Sequence, residues 1–100
     1  MEKLELLIDT SSVKVKEIIL PAGDEGKWHF HSYLLENVYC LDGQISVYLK
    51  QPDGKITLNP GERCMTHAGH VHKICNESSK SSKHLLVQGQ GEYDFIEVEV

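Results

Sequence analysis

Residues 23–43, GDEGKWHFHSYLLENVYCLDG, carry two histidines, His29 and His31, that are two positions apart, with Glu36 five residues further on. In a β-strand, side chains two positions apart point to the same face. A second stretch, residues 61–76, GERCMTHAGHVHKICN, contains His72, which strand pairing can bring back beside the first pair. Three imidazoles and a carboxylate suit a divalent first-row transition metal. They leave coordination positions open for water or substrate.

The rest of the chain has the pattern of short antiparallel strands. Residues 13–18 and 44–49 alternate apolar and polar side chains, and Ile96, Val98 and Val100 alternate with glutamates. Turn signals at 42–43, 53–54 and 60–61 recur at intervals near ten residues, which is typical of an all-β sandwich or barrel. Only residues 2–8 are ambiguous between a strand and a helical turn.

Composition narrows the range of functions. One hundred residues predict a single domain, and fifteen acidic against ten basic residues give a net charge of −5. That balance argues against binding a nucleic-acid backbone or an anionic membrane surface. The chain has no apolar stretch of membrane-spanning length and no signal-peptide pattern. Its three cysteines are an odd number, so we expect a reduced, cytoplasmic protein without a disulfide framework.

The two histidine stretches together resemble the motifs of a known family. Gly23, His29, His31, Glu36 and Gly43 stand at the spacing of the first cupin motif. The second stretch resembles the second cupin motif. The residues that stand at the family spacing are Gly61, His67-Ala68-Gly69, His72 and Asn76. His67 occupies a position where the family usually has proline.

The resemblance implies an all-β fold, an antiparallel double-stranded β-helix or jelly-roll cupin barrel formed by residues 1–100. We expect an N-terminal strand segment at 1–20, the motifs at 23–43 and 61–76, and C-terminal strands at 84–100. It also implies that His29, His31, Glu36 and His72 bind one divalent transition metal ion, which is Fe, Mn, Ni, Cu or Zn. Glu36 is in addition a candidate general base.

Several other side chains are candidates for contact with a substrate. Trp28, Tyr48 and His67 lie in or near the motifs, and Arg63 would be a partner for a substrate carboxylate if it points inward, which strand parity alone does not decide. For both His67 and His70 we expect a position at the pocket rim or in solvent, in preference to direct metal ligation. His84, outside both motifs, is expected to be an ordinary hydrogen-bonded core or surface residue.

The cysteines leave a second metal hypothesis open. Cys64, His67, His70, His72 and Cys75 fall within twelve residues, but they lack a paired C-x₂-C knuckle and compete for the same histidine. We favour Cys40, Cys64 and Cys75 as small apolar residues of the barrel wall.

For function, the sequence and the resemblance favour a metal-dependent enzyme that acts on a small organic molecule. Dioxygenase activity stands ahead of isomerase or lyase activity. The alternative is a non-catalytic cupin module that binds a metal or a small ligand. We also expect a homodimer, because Leu4, Leu6, Leu7 and Ile8 precede the barrel proper and need cover.

Overall fold

The computed structural model describes residues 2–100; Met1, the first residue of the predicted N-terminal segment, lies outside that range. Every regular element in the described range is a β-strand, which confirms the all-β prediction. The strands are β1 (Lys3–Asp9), β2 (Val13–Leu20), β3 (His29–Phe30), β4 (Leu35–Asp42), β5 (Ile45–Leu49), β6 (Gly54–Leu58), β7 (Arg63–Thr66), β8 (His72–Cys75), β9 (Ser82–Gly89) and β10 (Ile96–Glu97).

The strands form two antiparallel five-stranded sheets that pack against each other. The first sheet has the order β1-β2-β9-β4-β7, and the second has the order β10-β3-β8-β5-β6. Both sheets contribute to one buried core, whose members are Ile18, Leu20, Val38, Cys40, Ile45, Val47, Leu58, Ile74 and Leu86. This architecture confirms the predicted jelly-roll barrel.

Strand register sets which side chains meet inside the barrel. On β4, the side chains of Glu36, Val38 and Cys40 are buried, so this parity faces inward. Glu36 pairs with Gln88 on β9, and His29 on β3 pairs with His72 on β8. The two motifs therefore meet although 36 positions separate Glu36 from His72.

The structure decides one open point and corrects one expectation at the ends of the chain. Of the ambiguous stretch 2–8, residues 3–8 belong to strand β1 and form no helical turn. Near the C-terminus, only Ile96–Glu97 pair as a strand, on β3, although the apolar alternation extends to Val100. Within residues 2–100 no helix is long and apolar enough to cross a membrane. The cytoplasmic location stays a prediction.

We predict that Gly43→Ala will destabilise the protein more than Gly61→Ala. Both glycines have positive φ, +73° and +89°, so alanine at either position costs about 1–2 kcal/mol. At Gly43 the new Cβ would also lie 2.7 Å from the Ser81 carbonyl oxygen, whereas at Gly61 nothing lies within 4 Å. That overlap adds roughly 1–3 kcal/mol. Urea denaturation of both variants checks this, and equal midpoints would contradict it.

Candidate metal centre

Strands of both sheets bring the four predicted metal ligands together in the barrel interior. His29 and His31 lie at and just beyond β3, Glu36 on β4 and His72 on β8. Their exposed fractions are 8%, 2%, 1% and 1%. One nitrogen or oxygen from each residue lies within 4.8 Å of the others. Among residues 2–100 no other such cluster of three or more ligating side chains occurs.

Each histidine is oriented by a hydrogen bond from its Nδ1 to a backbone carbonyl. His29 Nδ1 lies 2.7 Å from the Lys27 oxygen, His31 Nδ1 lies 2.6 Å from the Asp94 oxygen, and His72 Nδ1 lies 2.8 Å from the His70 oxygen. Because a carbonyl oxygen only accepts, Nδ1 must carry the proton in all three rings. In the neutral imidazole, the Nε2 lone pair is then free for a metal ion, as in histidine ligands generally.

The Glu36 carboxylate lies between these nitrogens. Its Oε1 is 3.0 Å from His72 Nε2, and its Oε2 is 3.4 Å from His31 Nε2. Gln88 Nε2 donates to the same Oε2 over 2.6 Å. His31 Nε2 is buried and has no aligned hydrogen-bond partner among the described residues. The Nε2 lone pair of His31 and the Glu36 carboxylate oxygen repel each other unless a proton or a metal cation lies between them. This set of side chains therefore fits a cation.

The pKa values of the cluster reflect burial and mutual contact. Burial lowers the pKa of His29 to about 4, so its imidazole is uncharged at neutral pH. Burial also lowers the pKa of His31, but the Glu36 carboxylate outweighs it and the net shift is upward. For Glu36, burial raises the pKa, and contact with His31 and His72 lowers it well below its usual range. An anionic Glu36 thus coexists with a neutral His29, and both are in the protonation state that a metal ligand requires.

A cavity of about 320 Å³ opens beside the cluster. Its apolar wall is formed by Leu4, Ile18, Leu20, Ile74, Leu86 and Phe95, and its polar wall includes His84 and Gln88. The Phe95 ring stacks on His29, with ring centroids 4.1 Å apart and planes 14° apart. The volume lies at the lower end of the range for small-molecule sites.

Most of the residues that surround the cluster and line the cavity were not predicted from the sequence. Gln88, Tyr93 and Phe95 line the cavity, and the Asp94 carbonyl orients His31. Tyr93 and Phe95 follow β9 in irregular chain, where no periodicity predicts direction. His84 is buried as expected for a core residue, but its Nδ1 has no hydrogen-bond partner among the described residues, which corrects the expectation that it is satisfied.

None of the four predicted substrate-contacting side chains lines the cavity, which corrects that expectation. Trp28 and Tyr48 neighbour inward residues, His29 and Val47, so strand alternation turns them outward, where Lys73 lies over both rings. Arg63 pairs with Tyr39 on the outer face and donates to Asn37 Oδ1 over 2.8 Å.

The two histidines between β7 and β8 lie apart from the cavity. Neither lines the cavity, which corrects the pocket-rim alternative for both. His67 is exposed, in agreement with the solvent alternative, whereas His70 is half-buried. The His70 backbone contributes instead, through its carbonyl contact with His72.

The alternative zinc cluster does not form. His72 belongs to the centre with Glu36, and Cys75 occupies the strand parity opposite to that of His72 and Ile74. Burial raises the pKa of the Cys64 thiol to about 11, as expected for a thiol in apolar surroundings. Cys40 and Cys75 are buried and Cys64 packs against the core, as expected for apolar wall residues.

Fold and site define a small β-barrel protein with a buried centre of three histidines and one carboxylate. The family model Cupin_2, described as Cupin domain, matches residues 16–94. The chain therefore belongs to the cupin family, which confirms the resemblance in the two motifs.

Individual relatives agree on the fold. The chain is 42% identical over 53 residues to quercetin 2,3-dioxygenase of Bacillus subtilis (strain 168), a match that spans 52% of this chain and only 15% of that enzyme. A Klebsiella pneumoniae protein with a double-stranded β-helix domain superposes with a TM-score of 0.87 at 17% identity, over 99% of this chain and 85% of that one. The polyketide cyclase RemF from Streptomyces resistomycificus gives a TM-score of 0.82 at 19% identity, over 99% and 72%.

We predict that His84 makes the metal-free protein less stable in acid. Burial lowers its pKa from 6.5 to about 4, so between these values the unfolded chain binds a proton that the folded chain does not. Stability therefore falls as pH falls, by roughly 2 kcal/mol between pH 7 and pH 5 for this group. Urea denaturation at both pH values should show a loss smaller by that amount in His84→Leu. Parallel losses in the two proteins would contradict the assignment.

Proposed function

We propose that this cupin is a metal-dependent enzyme that acts on a small organic molecule, with dioxygenase activity favoured over isomerase or lyase activity. The observation that carries the proposal is the buried cluster of His29, His31, Glu36 and His72, which opens onto an apolar cavity of about 320 Å³. A bound divalent transition metal would supply Lewis-acid or redox chemistry at this position.

The chain's own residues prepare such a site. Backbone carbonyls fix the ring orientation of all three histidines, and Gln88 holds one oxygen of Glu36. Phe95, stacked on His29, covers one face of that imidazole. Preorganised ligands of this kind need little rearrangement when the ion or the substrate arrives.

Glu36 has two proposed roles, and its environment favours one of them. A carboxyl group with a strongly lowered pKa is a weak base, so the structure supports metal ligation more than proton abstraction. The general-base role stays a prediction.

The preference for oxygen chemistry rests on the relatives. The segment shared with quercetin 2,3-dioxygenase is 42% identical, and oxalate oxidase superposes with a TM-score of 0.84 at 14% identity over 97% of this chain and 55% of that chain. The structural likeness to RemF, a polyketide cyclase, supports the alternative that this cupin is an enzyme without oxygenase activity. Dioxygenase activity is therefore ahead, and isomerase or lyase activity is the alternative.

We predict that the purified, untagged chain binds about one metal ion per chain and that His72→Ala loses it. His72 Nε2 belongs to the cluster, and its removal leaves three ligands. The matched control is His67→Ala, an exposed histidine outside the cluster, which should keep the metal. Metal content is measured by mass spectrometry after reconstitution with Fe, Mn, Ni, Cu or Zn. Equal loss in both variants, or no uptake of any ion, would overturn the metal centre.

The same loaded samples test for catalysis. Oxygen consumption and product formation on a panel of small enols and hydroxylated aromatics should occur with wild type and His67→Ala but not with His72→Ala. Turnover without oxygen consumption would favour the isomerase or lyase alternative. Saturable binding without any product would favour the non-catalytic module and contradict the enzyme proposal.

We also propose that the chain forms a homodimer through β1. This edge strand is exposed along its whole length, and about half of each side chain of Leu4, Leu6, Leu7 and Ile8 is accessible. Exposed apolar edge strands tend to pair with another chain.

We predict that light scattering at micromolar concentration gives twice the chain mass of 11.3 kDa. The double variant Leu6→Lys/Ile8→Lys should give the monomer mass, because two added charges oppose burial of this strand. A monomeric wild type would refute the proposal, and so would a dimer that the double variant leaves intact.

A further inference from the structure

His84 lies in the wall of the cavity without a partner for one of its polar atoms. It belongs to β9, its exposed fraction is 2%, and it lines the same cavity as His29, His31 and Glu36. Its Nδ1 is buried and has no hydrogen-bond partner among the described residues. A buried polar atom without a partner lowers the stability of the folded chain, so a histidine at this position needs another reason.

A second unpartnered atom lies on the same face of β9. Glu36 is an acceptor only, so Gln88 must present its Nε2 to that carboxylate, which leaves Gln88 Oε1 as an acceptor with no partner among residues 2–100. Leu86 lies between these two positions and also lines the cavity. One wall of the cavity is thus polar at both ends and apolar in the middle.

We propose that His84 is a ligand-binding residue, which hydrogen-bonds a hydroxyl group of a compact, neutral, mainly apolar molecule in this cavity. The inference rests on the proposed function in that it places the ligand beside the metal cluster. It adds the chemical group that the ligand carries away from that cluster. A neutral imidazole both donates and accepts, so it satisfies a hydroxyl group in either direction.

The surroundings favour a hydroxyl group over a carboxylate. The pKa of His84 is lowered to about 4 by burial, so its ring is uncharged at neutral pH. Of the lysines that line the cavity, Lys16 donates to the Tyr93 hydroxyl over 3.1 Å, and Lys27 lies 3.5 Å from Glu97. A carboxylate beside His84 would therefore face an uncharged ring, and it would have to draw Lys16 away from the Tyr93 hydroxyl to gain a cationic partner.

The first test needs neither metal nor ligand. If His84 is retained for ligand binding, His84→Leu should raise the melting temperature at pH 8 by about 4 °C or more, because the unpartnered nitrogen is removed. The matched control is Ser82→Ala on the same inward face of β9. The Ser82 hydroxyl donates to the Leu20 carbonyl over 3.3 Å, so its loss should lower the melting temperature. A fall in His84→Leu would show a structural role and overturn the proposal.

The second test measures recognition of the hydroxyl group. Kojic acid and allomaltol share the hydroxy-ketone that chelates metal ions and differ by one hydroxyl on the substituent. Calorimetric titration of the nickel-loaded chain should show about tenfold tighter binding of kojic acid. His84→Leu should abolish that preference while still binding both probes, and His84→Gln, which keeps a donor and an acceptor, should retain part of it.

The outcomes separate this inference from the proposed function. Failure to load nickel contradicts the metal centre, while the stability comparison at His84 still decides the residue's role. A loaded wild-type chain without preference, whether both probes bind or neither does, overturns the assignment of His84. A preference that persists in His84→Leu does so as well.

Discussion

The buried carboxylate of Glu36 is the constraint on which the rest of the structure depends. An ionised group that is 1% exposed costs several kcal/mol unless nearby groups compensate it. His31, His72 and Gln88 provide that compensation, and they come from strands of both sheets. The pairing of β4 with β9 and of β3 with β8 must therefore be in register for the carboxylate to be tolerated. The same strand pairings thus close the barrel and bring the members of the centre together.

The cluster of His29, His31, Glu36 and His72 was predictable because the cupin motifs that it resembles have short, fixed spacings. Two-residue separation places His29 and His31 in reach of one point, and the turn glycines fix where each strand begins. Gly43, with φ +73° and no room for a Cβ, is one such position. The resemblance to the two cupin motifs therefore predicts the four members of this cluster without any knowledge of the loops. Strand alternation predicted less: on β2 the inward parity carries Lys16, Ile18 and Leu20, so Val13 and Val15 face the other way, and on β5 three consecutive residues, 45–47, are buried.

The cavity wall was not predictable for the opposite reason, which β9 shows most clearly. Its inward face carries Ser82, His84, Leu86 and Gln88, while Leu85 and Val87 face outward. The usual rule, by which apolar side chains face the core, predicts the reverse orientation, with Leu85 and Val87 inside. Pairing with β4 overrides it, because Glu36 lies opposite Gln88 and needs a donor there. Polar residues on the core-facing side of a strand indicate a binding site, but that side can be assigned only once the strand register is known.

The same reasoning explains where the fold is locally unfavourable. Four buried side-chain atoms among residues 2–100 lack a hydrogen-bond partner, and three of them belong to cavity-lining residues: His31 Nε2, His84 Nδ1 and Gln88 Oε1. Unsatisfied groups scattered at random would indicate poor packing. Groups concentrated around one cavity instead indicate that stability is given up for binding, since a ligand or ion that satisfies them regains it. The cavity is thus the part of this barrel in which a bound molecule would supply the missing hydrogen-bond partners.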